Sequence, residues 1–216
     1  MGLVIASKEG ATIEDVAEGN YKLSYTPGFT ALGAQPRAKD ESDPRIVAVC
    51  DLAQALFTEI FRVERLHNYG GCRPDVLDFG LPDVLPVLVV NAVMHGNRFD
   101  SGKHVEIEYA FDELRDARGR FTLTVRDEGR GFDYRSLLRA EEDARGSGKS
   151  FNVYRRPEER PADSIGLGLF QLMGYLRSDR GRIHTQINWT DPGNEVRVVK
   201  YLRPIEARRM TPRPYT

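Results

Sequence analysis

Two stretches of strict alternation constrain this chain more than any other feature. Val105, Ile107, Tyr109 and Phe111 take every second position across residues 104–111, and Phe121, Leu123 and Val125 do so across 120–127. A period of two puts such side chains on one face of a strand. The run between them, Asp112 to Gly119, is polar and ends in glycine, so the pair is predicted to be an antiparallel hairpin. One apolar face on a hairpin requires a second layer to cover it.

Helical periodicity supplies the cover. Ile46, Val49, Cys50, Ala53, Leu56, Phe57, Ile60 and Phe61 recur at three and four, predicting a helix over residues 43–65. Ser42 or Asp43 can cap it, and Pro44 suits its first turn. A second helix is predicted from Pro82 to about Gly96, burying Val84, Leu85, Leu88, Val89, Ala92 and Val93, with Pro86 in its first turn. Two last strands, over 182–189 and 195–202, flank the turn signal Thr190-Asp-Pro-Gly-Asn194. A helix is predicted to open at Gly166 and run to about Arg177. The order predicts an α/β two-layer sandwich: a mixed, mostly antiparallel sheet with helices on one face.

The flanks read differently. Residues 1–42 contain Gly19, Pro27, Gly28, Gly33 and Pro36; apart from a short strand at 22–25 they are predicted to be an N-terminal arm. Residues 43–203 are the expected domain, and 204–216 a basic, solvated C-terminal tail. The long polar stretch at about 133–165 is predicted to be a lid or insert. Its Gly146-Ser-Gly-Lys-Ser150 is not a P-loop, because that motif needs glycine where Asp143 stands and a strand leading into a helix.

The net charge of −1 over 216 residues provides no overall field for nucleic acid or a membrane surface. No apolar run is long enough to cross a bilayer, and no signal peptide is evident. Cys50 and Cys72 form no disulfide framework, which points to a reducing compartment; the cytoplasm is the expected location.

Three polar motifs follow apolar runs. In Asn91-Ala-Val-Met-His-Gly-Asn97, Val87, Asn91 and His95 are spaced by four and share one helical face. A mid-helix Asn suits either an oxygen ligand for Mg²⁺ or a structural bond to a neighbouring loop. Asp127 ends a strand before Glu128-Gly-Arg-Gly131; it suits either acceptance of a hydrogen bond from an exocyclic amine or a tight turn. Gly166-Leu-Gly-Leu169 suits either phosphate binding at a helix start or a plain loop-to-helix turn. No metal-ligand spacing of His or Cys and no Ser/His/Asp arrangement stands out.

Taken in order, these motifs resemble the GHKL ATPases with the Bergerat fold, most closely the small bacterial anti-sigma factor serine/threonine kinases. The resemblance spans roughly residues 43–203, with the N box at 91–97, the first glycine box at 127–133 and the second at 166–170. It implies ATP and Mg²⁺ as ligands. Asn91 would hold the metal, Asp127 the adenine amine, Gly129 and Gly131 would line the adenine, and Gly166 and Gly168 would hold the phosphates. His95 would sit beside the site, and Asn194 would replace a threonine that supports the Asp–adenine contact.

One position departs from the family. Its catalytic Glu lies four residues before the Asn, and here that residue is Val87. A valine accepts no proton, and losing a positioned base costs roughly 10²–10⁴-fold. No catalytic residue is therefore assigned. The chain is expected to be an ATP-binding regulatory protein with weak or absent kinase activity. Its expected partners are a sigma factor or an anti-anti-sigma protein of the STAS type, and a homodimer is compatible with the long first helix. Two alternatives stay open: a nucleotide-free interaction module, and an active serine kinase whose base has moved to Asp83.

Overall fold

The computed structural model describes residues 3–26, 43–64, 66–69, 81–115, 117–136, 139 and 185–205. Among the described residues seven strands form one sheet: β1 (Leu3–Lys8), β2 (Ala11–Ala17), β3 (Asn20–Tyr25), β4 (Val105–Glu113), β5 (Gly119–Asp127), β6 (Thr185–Thr190) and β7 (Glu195–Leu202). Their spatial order is β1-β2-β3-β4-β5-β7-β6, and every pairing among the described residues is antiparallel. Helix α1 (Pro44–Val63) lies against β1 and β2, while α2 (Leu81–Asn91) packs on α1 and β5. This is the expected two-layer α+β sandwich.

The predicted hairpin is β4–β5, with Ile107 opposite Val125 and Phe111 opposite Phe121. Its alternation continues into β7, where Leu123 faces Val198. Val105, Ile107, Phe121, Leu123, Val125 and Val198 join one buried cluster with Leu52, Leu56 and Ile60 of α1 and Val84, Leu85 and Val89 of α2. Each such side chain contributes roughly 1.5–3 kcal/mol on full burial. Asp43 caps α1, its Oδ1 accepting from the Arg45 amide at 2.8 Å.

The N-terminal segment departs from the reading as an arm. Residues 3–25 build three strands, not one short one, and β3 extends the sheet beside β4, with Leu23 opposite Val105 and Tyr21 opposite Ile107. The reason is local. Glu9 and Gly10 both adopt positive φ, 50° and 83°, which suits a two-residue hairpin turn between β1 and β2. Gly19, at φ 72°, serves the next turn. Glycine here reverses the chain between strands instead of breaking structure. Ile13, Leu23 and Tyr25 are buried beneath the helices as a result.

The second helix is also modified. It begins at Leu81, so Pro86 lies beyond the first turn and removes an interior hydrogen bond. From Ala92 to Gly96 the chain widens into a π turn, with the Asn97 amide donating to the Ala92 carbonyl at 2.8 Å. Such widened turns occur frequently at functional sites. Most of the predicted lid, Gly166, Gly168 and the helix expected after them, and the start of the strand at 182–189 lie outside the described residues.

Candidate functional site

The N-box segment ends in a buried polar anchor. Asn97 is 1% exposed. Its amide donates to the Tyr25 hydroxyl at 2.8 Å and to the His104 carbonyl at 2.7 Å, while its Oδ1 accepts from the Glu128 amide at 2.8 Å. One side chain thus ties the π turn to β3, to the start of β4 and to the loop after β5. Burial pushes the Tyr25 hydroxyl up to about 12, so it stays neutral within this network. Nearby, the guanidinium of Arg45 pairs with Asp43 at 2.8 Å and lies 4.7 Å from the Phe99 ring centre, pinning the start of α1 to the turn that follows.

This anchor brings the π turn against the end of β5 and frames an open cleft. One wall is helical: Leu88, Asn91, Ala92, His95 and Gly96. The floor is Val125, Asp127 and Val196, and the far wall is Gly131, Phe132, Trp189, Gly193 and Asn194. The cleft is partly open to solvent along its mouth. Asn91, His95, Asp127, Gly131 and Asn194 therefore converge, although they come from positions over a hundred residues apart.

Asp127 is the electrostatic centre of the cleft. Its Oδ1 accepts from the Gly129 amide at 2.8 Å; among the described residues Oδ2 accepts no hydrogen bond. Burial pushes this carboxyl from 3.8 up to about 6, while the Gly129 amide and the charge of Lys103 pull it down. A half-buried acceptor oxygen on a cleft-lining carboxylate fits a ligand that donates a hydrogen bond. Asn91 is half-buried in the helical wall, and among the described residues its amide makes no hydrogen bond.

The glycines act mainly by allowing backbone to pack closely. A Cβ on Gly96 would overlap the Asp127 carboxyl, and one on Gly129 would overlap the Gly96 carbonyl. Gly129 lies beneath Asp127 and is not part of the cleft wall, whereas Gly131 is. Gly131, at φ +77°, packs against the Pro192 carbonyl, closing the loop after β5 on the β6–β7 turn. Asn194 supports Asp127 through its backbone: its Nδ2 donates to the Asp127 carbonyl at 3.0 Å, and the Asp127 amide donates to the Asn194 carbonyl at 2.9 Å.

Val87 is half-buried and does not line the cleft; Leu88 takes the place beside Asn91. Val87 and Asn91, four apart in α2, keep one helical side, and the π turn from Ala92 shifts His95 relative to them. Asp83 is exposed one turn earlier on α2. Sequence reasoning missed Gly96, Phe132 and Trp189, and gave Asn97 no role. Phe132 lies within the first glycine box at 127–133, and Trp189 directly precedes the turn signal at 190–194; both are aromatic residues in or beside recognised motifs.

Among the described residues no cluster of three or more His, Cys, Asp or Glu can hold a metal ion, and no helix is long and apolar enough to cross a membrane. An antiparallel sheet under helices, with a carboxylate and an amide converging on one cleft, defines a small-molecule-binding α+β sandwich. A family model described as a histidine kinase-like ATPase domain matches residues 88–200. That is more than half of the 216-residue chain, so the protein belongs to the histidine kinase-like ATPase family, whose ATPase domain implies ATP binding. The match begins one residue after Val87 and leaves β1–β3 and α1 outside it. No match was found among curated proteins or among solved structures.

Proposed function

We propose that this protein is an ATP-binding regulator of the anti-sigma factor kinase kind in which phosphoryl transfer is weak or absent. The observation that carries the reading is the convergence of Asp127 and Asn91 on one cleft, each with hydrogen-bonding capacity unused among the described residues. Asp127 would accept from the adenine N6 amine, and Asn91 would hold Mg²⁺ together with the nucleotide phosphates. Mg²⁺ typically takes only one or two protein oxygens and keeps its waters, so a single amide suits an ion that arrives with phosphate. Bound there, it would neutralise phosphate charge. Gly166 and Gly168 are proposed to cradle the phosphates, and His95 to flank them.

The catalytic side is weaker. Val87 provides no base, and Asp83 lies about 5.4 Å further along the axis, one helical turn away. Phosphoryl transfer relies heavily on positioning and charge, so binding survives the loss of a base better than turnover does. Sequestration of a sigma factor, or engagement of a STAS-type partner, then becomes the regulatory output, in the cytoplasm and with homodimers as the candidate assembly.

Thermal denaturation tests the reading. Millimolar Mg-ATP is expected to raise Tm, and Asp127→Asn to reduce that rise, because ligand binding to the native state stabilises it by mass action. An unchanged Tm favours a nucleotide-free interaction module. Val87→Glu is expected to raise ATP turnover above the wild type. Robust transfer to a partner by the unaltered chain, abolished in Asp83→Ala, would instead establish the relocated base.

A further inference from the structure

Part of the cleft wall is aromatic: Phe132 comes from the first glycine box, while no motif of the sequence accounts for Trp189. Trp189, near the end of the edge strand β6, is stacked on Tyr134 with ring centres 5.9 Å apart and an interplanar angle of 18°. Phe132 meets Trp189 edge-on at 6.1 Å and 87°. Trp189 and Phe132 both line the cleft, together with Asp127 and the residues of the helical wall. Tyr134 does not line it; its ring backs Trp189 from outside.

This backing is itself held in place. The Tyr134 hydroxyl donates to Asp191 Oδ1 at 3.1 Å, Arg135 pairs with the same carboxylate, and the Arg135 guanidinium lies 5.8 Å from the Tyr134 ring centre. The β6–β7 turn thereby fixes the orientation of the Trp189 ring. An ordered indole, half-buried on a cleft wall, offers a flat π surface whose placement costs little conformational entropy when a ligand arrives.

We propose that Trp189, with Phe132 beside it, is the surface against which the heterocycle of the bound nucleotide packs, and so is an affinity-determining residue of this site. The proposal rests on the ATP-binding reading. It divides recognition into two separable parts. Asp127 reads the amine on the edge of the ring and discriminates between bases. Trp189 reads the face, which every base presents, and gives affinity without discrimination.

The chain contains a single tryptophan, so its fluorescence reports this wall alone. Mg-ATP would be titrated into the wild type, Trp189→Phe and Trp189→Leu by calorimetry, with tryptophan emission followed in the wild type. Stacking of a base on an aromatic side chain predicts roughly 5- to 100-fold weaker binding in Trp189→Leu. Trp189→Phe should stay within about fivefold of the wild type, since it keeps a ring. Wild-type emission should change saturably along the calorimetric isotherm. Calorimetric binding with flat emission, or with Trp189→Leu within twofold of the wild type, overturns the aromatic wall and leaves ATP binding intact. Should Trp189→Leu fail to fold, the emission titration decides alone. Absence of binding to the wild type overturns the ATP reading itself, and the wall with it.

Discussion

Asn97 and Asp127 sit on either side of the same junction, and both are polar groups withdrawn from water. Asn97 is bonded on all sides, to β3, to the start of β4 and to the loop after β5. Asp127 keeps one backbone donor, and its carboxyl is pushed up to about 6. The first arrangement is that of a structural anchor. The second retains an acceptor at the cost of folding stability and leaves it facing a cleft. The N box is thus divided: its end holds the fold together, and its helical part, at Asn91, is left for a ligand.

Replacement of each residue probes that division, beginning with the largest effect. Asn97→Ala removes the bonds to the Tyr25 hydroxyl, the His104 carbonyl and the Glu128 amide. At about 0.5–1.5 kcal/mol per bond, the expected loss is roughly 1.5–4.5 kcal/mol, measured by urea denaturation. Asp127→Asn is expected to leave folding stability at neutral pH undiminished or raised, because it removes the charge whose burial is unfavourable, while weakening Mg-ATP binding roughly tenfold or more, the contribution of a hydrogen bond to a charged group. Equal destabilisation by the two variants would break the comparison.

The pH dependence sharpens it. Because the folded-state value for Asp127 lies near 6 and the ordinary value is 3.8, the folded chain binds more protons than the unfolded chain between them. Stability contributed through this group therefore falls as pH rises from about 4 to about 6, then levels off. Affinity for an amine donor runs the other way and is lost as pH falls through about 6. Both trends should disappear in Asp127→Asn, as read by denaturation and calorimetry across pH 4–8. The smallest effect is expected from Asn194→Ala. Loss of the 3.0 Å bond to the Asp127 carbonyl should cost about 0.5–1.5 kcal/mol of stability, with a correspondingly mild effect on ATP affinity.

Local pattern made much of this molecule legible. Alternation located β4 and β5, the 3.6 period located α1 with its Asp43 cap, and an acidic residue at a strand end marked Asp127. The first strands were obscured because Gly19 read as a breaker, although its positive φ serves a turn between strands. The helical wall followed only in part from spacing: Asn91 and His95 line the cleft, and Leu88 joins them.

The sequence by itself therefore determined which segments become strands and helices in the hairpin and first-helix regions, and which polar residues end them. These depend on neighbours within a few positions, where backbone geometry imposes a fixed period. Tertiary structure decided the rest. It placed β3 beside β4, opened the π turn, set Gly96 beneath Asp127 and carried Trp189 across to face Leu88 and Asn91. Those contacts join residues tens of positions apart, and only the packing of one layer on another selects them.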